Sequence, residues 1–229
     1  MKKSTKIFIW LYWFAVLADL FIVYKGYSTA RYFSKPLLMV FLMLAYYFET
    51  KASGSFSKIL LGGLFFSWLG DIILLNDDYF IVGLICFLIT HIIYISYFVS
   101  INKKAKGLLQ FQPLIGIPVA VYLLLFLWLL WPFLDKLRIP VVFYGFVICF
   151  MLICAINLYW KTDRDTAVLF FNGALQFLIS DSLLAVHKFV YPFTALPIAV
   201  MITYTSAQFL IAQGSINHIG SNTGITSEN

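Results

Sequence analysis

Between residues 61 and 97 the chain reads LGGLFFSWLGDIILLNDDYFIVGLICFLITHIIYISY, two apolar runs joined by the polar turn Asn76-Asp77-Asp78. Each run is about long enough to cross the hydrocarbon of a bilayer, where a backbone can satisfy its polar groups only internally. Such a run folds as a helix. An ionisable side chain within it costs a few kcal/mol at least, so it must be paired, neutralised or used. This stretch holds two, Asp71 in the first run and His91 in the second. Residues 173–184, GALQFLISDSLL, repeat the pattern with Asp181 in the place of Asp71.

The same reading extends to the whole chain. With 62% hydrophobic residues, 11% charged residues and a mean hydropathy of +0.91, the composition excludes a water-soluble globular domain. Twenty-four Phe, fourteen Tyr and six Trp fit a surface that meets lipid and anchors rings at both interfaces. A net charge of +6 raises the question of nucleic acid, but the basic residues are scattered through the loops between apolar runs. That pattern orients helices instead. The three cysteines, Cys86, Cys149 and Cys154, sit inside apolar runs without metal-ligand spacing, which gives neither a disulfide framework nor a zinc site.

The pattern predicts an all-α polytopic membrane protein of eight transmembrane helices, placed at about residues 7–24, 32–48, 58–75, 79–100, 113–134, 139–160, 166–185 and 194–212. Residues 1–213 form one transmembrane domain, and the polar residues 214–229 are expected to be a disordered tail. The first run is longer than the apolar region of a cleaved signal, so a retained span is expected. It contains Asp19, either a helix-end group or part of a polar interior. Ten Lys and Arg fall on the amino-terminal side of the spans and six on the other, which predicts cytoplasmic termini in a cell (inner) membrane. An offset of 110 residues brings Gly63 onto Gly173, Asp71 onto Asp181 and Tyr94 onto Tyr204, as two parallel four-helix repeats would.

Asp71 and Asp181 each fall four residues from the non-cytoplasmic end of their predicted spans, so the two carboxyls can face one another at equal depth. Small residues beside them, Gly70, Ser180, Gly62, Gly63 and Gly173, allow close helix approach. Two neighbouring buried carboxyls can divide their work, one holding a proton while the other is ionised. That division suits a reaction needing a proton donor together with a carboxylate that stabilises a cation or activates water.

His91 falls twelve residues into its span, about 18 Å from the outer boundary and too deep for a direct hydrogen bond to Asp71. It either joins the site through water or donates to a neighbouring helix or a partner such as Tyr204. Lys35-Pro36 opens the second span on the face of the two acids, where Lys35 either snorkels or meets a phosphate with Arg31 or Lys188 nearby. Tyr204 and Gln208, one turn apart, belong to a polar and small-residue stripe of the last helix. No metal site is expected, because His187 and His218 fall in a loop and in the tail.

The blocks GDIILL, FIVGLICFLITHIIY, GALQFLISDSLLAVHKF and TYTSAQFLIA, in this order and spacing, resemble the signature of the YhhN-like lysoplasmalogenase family. The resemblance covers about three quarters of the chain. It implies a polytopic hydrolase that cleaves the vinyl ether bond of lysoplasmalogens to a fatty aldehyde and a glycerophospho-base, with a lysophospholipid from the bilayer as its partner and no nucleic acid. It further implies Asp71 and Asp181 as the catalytic pair, with Lys35, His91, Tyr94, Tyr204 and Gln208 as substrate-binding or supporting positions. Acid cleavage of an enol ether requires neither metal nor organic cofactor. The rival reading is a proton-coupled membrane transporter, in which paired acids and a mid-helix histidine relay protons. An intramembrane aspartyl protease is disfavoured, because Trp68-Leu69-Gly70-Asp71 lacks the first glycine of the Gly-x-Gly-Asp motif.

Overall fold

A computed structural model describes residues 2–51, 57–193 and 195–223. Its regular elements are helices: α1 (Lys3–Lys25), α2 (Ser28–Lys51), α3 (Lys58–Ile73), α4 (Phe80–Ser100), the single turn α5 (Leu108–Phe111), α6 (Ile117–Leu130), α7 (Arg138–Ile156), α8 (Arg164–Ala185) and α9 (Leu196–Thr223). Local chemistry sets the ends. Gly26 closes α1 at φ 71°, a left-handed conformation that costs glycine little. Ser57 caps α3 by accepting from the Leu60 N–H, and Asp163 caps α8 by accepting from the Thr166 N–H at 2.9 Å. Between α3 and α4 the Asn76 side chain accepts from the Asp78 N–H at 3.0 Å and turns the chain back.

The tightest pairs are α1 on α2, α3 on α4 and α8 on α9. Helix α9 also meets α1, α2 and α3, while α7 joins α4 to α8 and α6 lies outside α7. Tyr12, Leu38, Tyr46, Tyr94, Phe170 and Phe177 fill the centre, each fully buried. Trp10, Trp128 and Ile139 project outward at 76, 77 and 82% exposure, an apolar exterior that suits lipid. The protein is integral to the membrane.

The predicted number of eight spans is not reached by length and apolarity. Six segments meet that description among the described residues: Lys3–Lys25, Asp77–Ser100, Pro113–Phe133, Asp135–Ile156, Arg164–Val190 and Leu196–Ser221. The two that fall short are α2, which carries Arg31, Lys35, Glu49 and Lys51, and α3, whose 16 residues rise only about 24 Å. These helices carry Lys35 and Asp71, so the shortfall coincides with the site.

Two further expectations change. The last helix does not stop at residue 212. It continues to Thr223 because its polar residues find partners: the Ser215 hydroxyl is 2.9 Å from that of Tyr46 and 2.6 Å from that of Tyr97, and Ile219 is buried. Residues 224–229 lie outside the described residues. Helix α8 also does not end at Ala185. Residues Val186–Val190 continue it as a π-helical turn, which carries His187 and Lys188.

Candidate active site

Asp71 lies in the last turn of α3, buried among α2, α4 and α9. The Tyr204 hydroxyl donates to its Oδ2 at 2.7 Å, and Lys35 Nζ stands 3.3 Å from its Oδ1. Lys35 itself is buried, so this carboxyl and ammonium neutralise one another away from bulk water. Asp181 sits on α8, nine residues before Val190, where its helical segment ends. The Tyr144 hydroxyl donates to its Oδ2, and His91 Nε2 lies 3.5 Å from the same oxygen. Its side chain is 13% exposed against 1% for Asp71, so it is the more accessible of the two acids.

Both acids line one cavity of about 270 Å³. Arg31, Lys35, His187 and Lys188 contribute basic groups to its wall, and Phe87, Met201 and Leu184 contribute apolar surface. Besides Lys35, two of these bases have acidic partners: Arg31 Nε is 3.7 Å from Asp19 Oδ1, and Lys188 donates to Asp77 Oδ1 at 2.9 Å. Asp19 is therefore part of a polar interior, held by a 2.6 Å bond from the Ser34 hydroxyl. Phe177 lies between the two acid clusters, in edge contact with His91 at 4.7 Å and with Tyr204 at 5.6 Å.

His91 is thus a neighbour of Asp181, and Tyr204 belongs to Asp71. Helix α8 continues through the π-helical turn Val186–Val190, so Asp181 lies nine residues from the end of its helical segment, not four, and its carboxyl meets His91. Tyr94 and Gln208 do not line the cavity. Tyr94 donates to Gln208 Oε1 at 2.6 Å, Gln208 Nε2 donates to the Ser67 hydroxyl at 2.8 Å, and Ser67 donates to Thr90 at 3.1 Å. This buried chain braces α3, α4 and α9 one turn below Asp71. Sequence reasoning missed Tyr144. A phenol in the apolar run of α7 needs a hydrogen-bond partner, but the sequence does not say which one.

The YhhN family model matches residues 30–215. The chain belongs to the YhhN family. The matched stretch contains both acids and all the partners just described except Asp19. Among curated relatives, lysoplasmalogenase TMEM86A from Homo sapiens is 32% identical over 156 residues, 67% of this chain and 63% of that protein. The Bos taurus TMEM86A is 30% identical over the same shares of the two chains. Lysoplasmalogenase TMEM86B from Rattus norvegicus is 28% identical over 189 residues, 81% of this chain and 72% of that protein. The chain thus spans less than two thirds of the length of the TMEM86A relatives. No solved structure matches the chain.

Proposed function

We propose that this YhhN protein is a membrane hydrolase that opens the vinyl ether bond of lysoplasmalogens, releasing a fatty aldehyde and a glycerophospho-base. The observation that carries the reading is the pair of differently partnered acids on one cavity wall, in a chain whose relatives are named lysoplasmalogenases. Asp71, beside the Lys35 ammonium, serves as the carboxylate. Asp181, with a phenol and an imidazole as neighbours, serves as the acid.

The steps balance without a cofactor. Asp181 gives its proton to the β-carbon of the enol ether, leaving an oxocarbenium ion that the Asp71 carboxylate stabilises across the cavity. Water adds to the cationic carbon as Asp71 takes one of its protons. The resulting hemiacetal passes its hydroxyl proton to the ether oxygen and the C–O bond breaks, giving aldehyde and alcohol. Proton return from Asp71 to Asp181 through water completes one hydrolysis. Arg31 and Lys188 at the cavity wall meet the phosphate of the head group. The termini are assigned to the cytoplasmic side of a cell (inner) membrane.

Purified protein incubated with a lysoplasmalogen should release one aldehyde per ether cleaved, and none from the saturated ether analogue. Absence of aldehyde, together with proton-coupled flux in liposomes, would replace the hydrolase with a transporter.

A further inference from the structure

Asp181 forms part of the wall of three spaces at once. One is the charged cavity. The other two are apolar, and Asp181 shares both with Tyr144, Val141 and Ala185. The smaller, about 40 Å³, is enclosed by Phe80, Leu84 and Phe189. The larger, about 50 Å³, runs between α6 and the α7–α8 pair, with Leu123 and Leu127 facing Gly145 and Ile148. Its wall on α7, from Val141 to Cys149, is about 12 Å of helix. A charged space and an apolar groove that meet at one carboxyl suit an amphiphile whose labile bond joins head to chain.

We propose that the groove between α6, α7 and α8 receives the hydrocarbon chain of a single-chain lipid whose head group occupies the charged cavity. The inference rests on the hydrolase reading for the bond that is cut, but not for where the chain lies. Helix α6 is the adjustable wall. Of its residues only Val119 and Leu130 are buried, and Leu124 and Trp128 are 68 and 77% exposed. It packs on α7 and on the π-helical turn, and a 2.5 Å bond between the Tyr122 and Ser182 hydroxyls ties it to α8 beside Asp181. Helix α6 therefore yields as a chain enters, which the narrow groove requires. Gly145 keeps the groove open: a Cβ there would stand 3.0 Å from Leu123 Cδ1 and 3.9 Å from Leu127 Cδ2.

Two readouts test this on the full-length protein. In Gly145→Leu, the ratio of kcat/KM for a long-chain over a short-chain lysoplasmalogen should fall roughly tenfold, with Gly145→Ala intermediate. An unchanged ratio overturns the proposal. In the wild-type protein, a saturated lysophospholipid with a photoreactive group on its chain should label Leu123, Leu127 or Ile148, and excess unlabelled lysophospholipid should suppress that labelling. Labelling confined to Leu124 and Trp128 and insensitive to competitor overturns it. Photolabelling involves no bond cleavage, so it decides the matter if Gly145→Leu fails to fold, and it separates failure of the groove from failure of the hydrolase reading.

Discussion

A carboxylate beside an ammonium and a carboxyl beside a phenol are different reagents, although Asp71 and Asp181 occupy the same place in a repeated pattern. If Lys35 neutralises Asp71, Lys35→Met strands a buried charge, and thermal melts in detergent should show a loss of about 3 to 5 kcal/mol. The double variant Lys35→Met/Asp71→Asn should regain the stability but not the activity; a double variant no more stable than the single one would contradict the pairing. Tyr144→Phe removes the donor that holds Asp181 in place and should lower kcat roughly tenfold, the worth of one hydrogen bond, with KM little changed. Unaltered kcat would remove Tyr144 from the site. The two acids were legible because acids are rare in apolar runs, and Lys35 because the Lys35-Pro36 pair reads as a helix start at their level, although α2 in fact begins at Ser28 and carries Pro36 in its interior. Tyr144 was not, since tyrosine is common in this chain and only a fold reveals which hydroxyl meets Asp181.

At the scale of elements, the apolar runs located the long helices, and the failures sit at their ends. Apolarity does not report the π-helical turn at Val186–Val190, because a polar pair such as His187-Lys188 reads as a loop. Nor does the small-residue stripe distinguish its glycines. A Cβ on Gly173 would fall 2.6 Å from Ile211 Cγ1 and 3.1 Å from the Ala207 carbonyl oxygen, whereas one on Gly62 would meet only Ile93 Cδ1 at 3.9 Å. Gly173→Ala should therefore push α9 away from α8, lower the melting temperature and reduce activity through Tyr204, while Gly62→Ala should melt like the wild-type protein. Equal melting of the two variants would refute this account of the α8–α9 contact.

At the scale of the molecule, helices from distant parts of the chain converge on one cavity: α2 and α3 bring Lys35 and Asp71, α8 brings Asp181, and α9 brings Tyr204. The repeat suggested by the sequence offset would make the two acid sites equivalent, and their partners are not. The offset that maps Tyr94 onto Tyr204 would give Asp181 the hydroxyl of Tyr94, yet Tyr94 bonds Gln208 and Asp181 takes Tyr144. The most direct test of a shared site is aldehyde release from a lysoplasmalogen by purified Asp71→Asn and Asp181→Asn, each checked for an unchanged gel-filtration profile. Each should lose activity by about a hundredfold or more. Full activity in either variant would contradict a mechanism that needs both acids.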